Sequence, residues 1–280
     1  MDTIGRNNVK VIGSGERTIM FAHGYGCDQS MWRHVMAAFS EDFRIVLFDY
    51  VGSGGSDVSS FDRTRYSTLR GYALDVVDII TELDLKDVNF VGHSVSSMIG
   101  ALAFLEAPER FATLTMIGPS PCYINDDGYQ GGFSRSDVDG LLETLESNQV
   151  AWSATMAPVI MGNPDTPEYA AELEASFCRM DPYLANHFAR VTFLSDNRKD
   201  LPTVTAKTLI LQCQKDAIAG LSVGEYVHKC LPNSQFVVME ATGHCPHLST
   251  PKEVIRELRS FLSPVNGETA GPSIQNNAAN

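Results

Sequence analysis

The sequence predicts an α/β fold: a mostly parallel central sheet with helices on both faces and an all-helical lid of four helices. Three observations lead there. The runs RIVLFDY (44–50), VNFVGH (88–93), ATLTMIG (112–118), TLILQC (208–213) and QFVVME (235–240) are apolar almost throughout. Strands without polar alternation belong in a sheet covered on both sides. Helix-period segments fall between these runs. The alternation then stops between about 120 and 200, where helix-period segments follow one another with no strong strand.

Taken in order, VKVIGSG (9–15) and TIMFAHG (18–24), separated by Glu16-Arg17 after a Gly-Ser-Gly, suggest an N-terminal hairpin. RIVLFDY follows as a buried strand. Over 69–83, Leu69, Tyr72, Val76, Ile79, Ile80 and Leu83 recur at spacings of three and four, giving one buried stripe. VNFVGH leads into VSSMIGALAFLE (95–106), a helix apolar nearly all round and therefore central. ATLTMIG precedes VDGLLETLESNQ, AWSATMAPVIMG, PEYAAELEASFCRM and PYLANHFARVTFL, which turn chemistry separates. Inserted after a strand, these segments emerge at the strands' carboxyl edge, where open α/β sheets place ligands. TLILQC and QFVVME complete the sheet. PKEVIRELRSFL (251–262) starts with proline at a first helical position and shows Val254, Ile255, Leu258, Phe261 and Leu262 on one face. The division expected is a core from 1–120 and 200–264, a lid from 121–199, and a disordered tail over 265–280, which lacks apolar periodicity.

Composition narrows the function classes. The chain has 280 residues, 44% hydrophobic and 20% charged, ordinary for a soluble globular enzyme. Acidic residues outnumber basic ones by 34 − 21 = 13, so the overall field disfavours nucleic acid and anionic membranes as partners. MDTIGRNNVKV has no apolar core of a secretory leader, and no run approaches the ~18 apolar residues of a membrane span. The six scattered cysteines (Cys27, Cys122, Cys178, Cys213, Cys230, Cys245) form no C-x-x-C pair and suggest free thiols in a reducing, cytoplasmic compartment. No zinc spacing and no H-E-x-x-H are present, so no metal is expected. FDYVGSGGSD (48–57) is not a phosphate loop, because no G-K-[ST] follows; Asp49 and its glycines build a tight loop instead.

The chemistry centres on FVGHSVSSMI (90–99). Gly92-His93-Ser94-Val95-Ser96 is G-x-S-x-G with serine at the last position. Ser94 stands where a strand ends and a helix begins, the context of a nucleophile elbow. A lone serine could as well cap the helix. An acid and a histidine follow in the order the elbow requires: Asp216 after TLILQC and His244 after QFVVME, each beyond the carboxyl end of its strand. The reading makes Ser94 the nucleophile, His244 the base and then acid, and Asp216 its orienting partner. His247 is the less favoured base because it lies further from the strand. Asp196 and Asp200 precede their strand rather than follow it. Cys245 reads as packing. The loop His23-Gly24-Tyr25-Gly26 follows a strand, so the N–H groups of Tyr25 and Val95 form the candidate oxyanion hole, with His23 bracing the loop. Ser96 replaces a glycine that permits close helix–strand approach, and its small bulk fits there.

FAHGYGCDQSMW, VLFDYVGSGGSD, VGHSVSSMIG, GPSPCYINDDGYQGGF, FLSDNR and EATGHCPHLS together resemble the α/β-hydrolase superfamily. Within it they are similar to the RsbQ-like family of regulators of the stress sigma factor B, related to plant karrikin and strigolactone receptors. The similarity spans roughly residues 5–264. It implies a four-helix lid over a buried, largely apolar pocket, and a triad at Ser94, Asp216 and His244. It also implies pocket walls at Tyr25, Phe133, Trp152 and Phe193. Tyr25 stands where the family commonly has phenylalanine, which would put a hydroxyl at the pocket mouth; Met156 stands where some relatives carry an aromatic. The implied activity is cofactor-free hydrolysis of small hydrophobic esters or lactones, coupled to stress signalling. The implied partner is a protein at the lid, a phosphatase if the chain is RsbQ-like. An alternative is a receptor with slow hydrolysis. The serine at position 96 points toward the signalling-linked branch.

Overall fold

The computed structural model describes residues 2–263. Strands β1 (Lys10–Ile12), β2 (Arg17–Ala22), β3 (Phe43–Leu47), β4 (Val88–His93), β5 (Phe111–Ile117), β6 (Lys207–Lys215) and β7 (Ser234–Thr242) form one sheet in the order β1-β3-β2-β4-β5-β6-β7. All neighbours are parallel except β1 and β3. The predicted disordered tail lies outside the described residues.

The expected N-terminal hairpin does not form. β1 pairs antiparallel with β3, Val11 opposite Val46, and β2 lies on the other side of β3. The connecting Gly-Ser-Gly does not turn back on itself; it crosses over the start of β3. Gly13 (φ +78°) and Gly15 lie so close to residues 40–43 that a Cβ on Gly13 would sit 2.3 Å from the Phe43 carbonyl oxygen. Turn chemistry was visible in the sequence, but a crossing and a hairpin need the same glycines.

The helices are α1 (Thr3–Arg6), α2 (Arg33–Met36), α3 (Leu69–Glu82), α4 (Val95–Glu106), α5 (Arg135–Ser147), α6 (Gln149–Met161), α7 (Pro167–Arg179), α8 (Pro182–Phe193), α9 (Leu221–Cys230), α10 (Pro246–Ser249) and α11 (Pro251–Leu262); α3–α8 and α11 are those the sequence predicts, while α1, α2, α9 and α10 are additional. Successive strand residues serve opposite faces. Met20 and Val46 pack with α3, α4 and α9, while Ile19, Phe21 and Ile45 pack with Trp32, α2 and α11. A third cluster joins α5–α8 to the loops at the carboxyl edge: Val138, Leu142, Trp152, Ile160, Leu173 and Phe193 meet Cys27, Met31, Ile218 and Cys245. The inserted helices thus have a core of their own, laid over the edge where β4, β6 and β7 end.

The N-terminal segment is bound to this frame by ions. Asp75 on α3 has a fully buried side chain that pairs with Arg6 (3.0 Å) and Arg65 (2.7 Å) and accepts from the Tyr66 hydroxyl (2.9 Å). Among the described residues no helix is long and apolar enough to cross a membrane.

Candidate active site

β4 delivers Ser94 through a turn that needs the glycine at position 92. A Cβ on Gly92 would lie 2.4 Å from the Ser96 carbonyl oxygen. Ser94 itself has φ +57° and ψ −123°, a strained conformation for a non-glycine residue. Its amide donates to the Ile117 carbonyl of β5 (2.8 Å), which holds the turn against the sheet. The Ser94 side chain therefore stands above the sheet at the N-terminus of α4, and the capping role considered for it is absent: Ser94 makes no side-chain cap bond.

The predicted partners converge on it. Ser94 Oγ lies 2.7 Å from His244 Nε2, and His244 Nδ1 lies 2.7 Å from Asp216 Oδ2. A carboxylate only accepts, so Nδ1 carries the proton and Nε2 is free to accept from Ser94. Asp216 is fixed in turn, its other oxygen accepting the amides of Ile218 (2.8 Å) and Ala219 (3.0 Å). The His244 and Asp216 side chains are only 5% and 1% exposed, which excludes competing water from the chain of bonds. The weighed alternatives are elsewhere. Asp196 pairs with Arg198, and Asp200 accepts from Arg70. His247 is buried against Trp32 and His93, has no hydrogen-bond partner among the described residues, and burial lowers its pKa to about 3.

Tyr25 and Val95 flank Ser94, and among the described residues neither amide donates to a protein acceptor. The glycine loop is tightly placed: a Cβ on Gly24 would meet His93 Nδ1 at 2.6 Å. His23 braces it as expected, with Nδ1 donating to the Gly24 carbonyl (2.9 Å) and Nε2 accepting from the Tyr50 amide (3.2 Å). Asp49 closes its own loop by accepting from the amides of Gln29 and Gly55. Ser96 does more than fit. It is fully buried, donates to the His23 carbonyl, and lies 2.8 Å from the Tyr50 hydroxyl.

A cavity of about 30 Å³ opens above Ser94. Tyr25, Trp152 and Phe193 line it as the resemblance implied, and so does Met156. Phe133 does not. Its backbone pairs with the Tyr123–Asn125 segment, and its half-buried ring packs against the edge of the third cluster. Tyr123 takes its place on the wall beside Ser94; burial pushes the Tyr123 phenol up to about 12, against the pull of Ser94. The Tyr25 hydroxyl is also not at the cavity mouth: it donates to the Ala185 carbonyl of α8 (3.1 Å). Cys27, Ile160, Phe177 and Ile218 complete walls that sequence reasoning missed. One signal was available: Trp152, Met156 and Ile160 recur every four residues, a stripe on α6. Cys245 lines the cavity as a buried thiol whose pKa burial raises well above the ordinary value. A larger cleft, lined by Arg17, Arg44 and Lys86, lies at the amino ends of the strands, away from this chemistry.

The inserted helices hold the backbone of the two loops that frame the site. The His244 amide donates to the Ile160 carbonyl of α6 (2.8 Å), and Ser176 Oγ of α7 donates to the Gly26 carbonyl (2.7 Å). Gly243 (φ +84°) lies so close to α6 that a Cβ there would sit 1.7 Å from the Met161 carbonyl oxygen.

The chain is similar to known proteins over most of its length. The model of the Alpha/beta hydrolase family matches residues 19–257. A karrikin insensitive 2 receptor of Petunia hybrida is 40% identical over 89% of this chain and 93% of its own. A strigolactone esterase of Arabidopsis thaliana is 36% identical over 91% of this chain and 96% of its own. Among solved structures, a hydrolase from Oleispira antarctica superposes with a TM-score of 0.91 at 42% identity, covering 93% of this chain and 96% of the other.

Proposed function

The chain belongs to the alpha/beta hydrolase family, and on that premise we propose that it is a cofactor-free serine hydrolase of small hydrophobic esters or lactones. One observation carries the reading: the unbroken Ser94–His244–Asp216 hydrogen-bond chain on the floor of an apolar cavity. Ser94 Oγ attacks the carbonyl carbon as its proton passes to His244 Nε2, and Asp216 steadies the imidazolium. The amides of Tyr25 and Val95 receive the developing oxyanion. His244 returns the proton to the departing alkoxide, and water then cleaves the acyl-enzyme by the same route in reverse. Among the residues lining the cavity there is no lysine or arginine, so a neutral substrate is favoured over one with a carboxylate. Four buried free cysteines, Cys27, Cys122, Cys213 and Cys245, support a reducing, cytoplasmic site of action.

Residues 121–199 act in this reading as a lid. Ser94→Ala should reduce p-nitrophenyl acetate hydrolysis to background. A variant as fast as the parent would remove the assignment.

A second reading is a receptor whose hydrolysis is slow and whose lid surface is read by a protein, a phosphatase if the RsbQ-like resemblance holds. Supporting it are the relatives named as receptors and the apolar side chains exposed on the lid, Val150, Val159 and Tyr183. Val159→Asp and Tyr183→Asp should then abolish partner capture and leave ester hydrolysis intact. Rapid turnover of a metabolite, with no partner retained, would decide for the first reading.

A further inference from the structure

We propose that Ser96, the serine standing in the last glycine position of the elbow, is a positioning residue that sets the oxyanion hole, with Tyr50 as its support. The proposal rests on the serine-hydrolase reading and specifies how its oxyanion loop is held.

Ser96 Oγ has one proton, and it goes to the His23 carbonyl, which can only accept. The Tyr50 hydroxyl must therefore donate to Ser96 Oγ, across 2.8 Å. Both side chains are fully buried. The result is a directed chain, Tyr50 O–H to Ser96 O–H to His23 C=O, in which each bond polarises the next. It ends on the peptide between His23 and Gly24. The next peptide, between Gly24 and Tyr25, is held by the other end of the same residue: His23 Nδ1 donates to the Gly24 carbonyl, which also accepts the Cys27 amide (3.3 Å).

That second peptide is the functional one. The described residues contain no cis peptide bond, so the Tyr25 N–H points opposite to the Gly24 carbonyl. Fixing the carbonyl aims the N–H. Tyr50 closes the ring at the other side, donating its own amide to His23 Nε2 and so fixing the imidazole tautomer that Nδ1 needs. Ser96 is one residue from Val95, the second proposed donor, on the first turn of α4. A hydroxyl on the turn carrying one donor thus sets the place of the loop carrying the other. Glycine or alanine at position 96 would leave the His23 carbonyl and the Tyr50 hydroxyl buried and without this partner.

The test compares Ser96→Ala, Ser96→Gly, Tyr50→Phe and the Ser96→Ala/Tyr50→Phe double variant with the parent on p-nitrophenyl acetate, with Ser94→Ala alongside. Loss of a whole oxyanion donor costs on the order of 10²–10³ in rate. Loss of its aim should cost about 10-fold or more in kcat, with KM within about twofold, because the hole acts on the transition state. Tyr50→Phe should lower kcat about threefold and add nothing in the Ser96→Ala background, since its hydroxyl acts through Ser96. A parental kcat in Ser96→Ala and Ser96→Gly, or multiplying losses in the double variant, would overturn the proposal. If Ser96→Ala fails to fold, Tyr50→Phe alone decides, an unchanged kcat being the negative result. Parental activity in Ser94→Ala would instead defeat the hydrolase reading itself.

Discussion

Replacing Gly243 by alanine should disable the site without touching a reacting atom. Gly243 precedes His244 and has φ +84°, where an L side chain costs about 1–2 kcal/mol. Its added Cβ would lie 1.7 Å from the Met161 carbonyl oxygen. Carbon and oxygen approach no closer than about 3.3 Å without strain, so the His244 loop and the end of α6 must part by roughly 1.5 Å. That breaks the bond from the His244 amide to the Ile160 carbonyl and strains the one from Asn163 Nδ2 to the Thr242 carbonyl (3.1 Å). Each is worth about 1 kcal/mol net. The total is about 3 kcal/mol, or about 6–12 °C in Tm for a chain of this size. Displacing His244 by about 1 Å should lower kcat about 100-fold. Gly140→Ala is the control. Gly140 lies inside α5 with no atom within 4 Å of its would-be Cβ, so alanine should stabilise by about 0.5–1 kcal/mol and leave kcat alone. Thermal melts and p-nitrophenyl acetate kinetics on both variants decide the matter. A Gly243→Ala protein that melts with the parent and turns over within about twofold of it would refute the argument.

Other outcomes follow from the same contacts. Burial holds His23, His93 and His247 neutral with lowered pKa, so the unfolded chain binds their protons first as pH falls below about 6.5. Their contribution to stability is complete above that pH and is lost toward pH 3; His247→Phe should flatten the slope of unfolding free energy near pH 5 by one proton, about 1.4 kcal/mol per pH unit, in urea titrations. Asp75→Ala leaves Arg6 and Arg65 paired with Asp78 but takes the acceptor from the buried Tyr66 hydroxyl, and should cost about 1–3 kcal/mol in urea unfolding with kcat unchanged. Trp152→Ala enlarges the cavity and should raise kcat/KM for p-nitrophenyl butyrate relative to the acetate, whereas an unchanged ratio would take Trp152 off the acyl side.

The sheet and its helices were legible because their signals are local. Leu69–Glu82, Val95–Glu106 and Pro251–Leu262 show their buried faces in single windows of sequence. The geometry around Ser94 was legible for a related reason: each reacting side chain follows a strand, and chain order restricts their meeting. What stayed hidden depends on residues distant in sequence. The path of β1 turns on whether Gly13 folds back or passes residues 40–43. Phe133 is displaced from the cavity by the pairing of its own backbone, and aromatic character gives no warning of that. Ser96 looked like a tolerated substitute for glycine, because His23 lies 73 residues away.

The small volume above Ser94 has a consequence for affinity. With about 30 Å³ of free space, the form described here is a tight fit for an ester. A substrate larger than that space must meet a form in which the aromatic walls have swung aside. Its apparent dissociation constant is then the intrinsic one divided by the fraction of molecules in that wider form. If one molecule in a hundred is open, about 2.7 kcal/mol of recognition is spent before any contact registers. Two chains with identical walls could therefore differ a hundredfold in sensitivity to the same compound. The difference would lie in residues that never touch it, such as those setting how firmly α6 is pinned at Gly243.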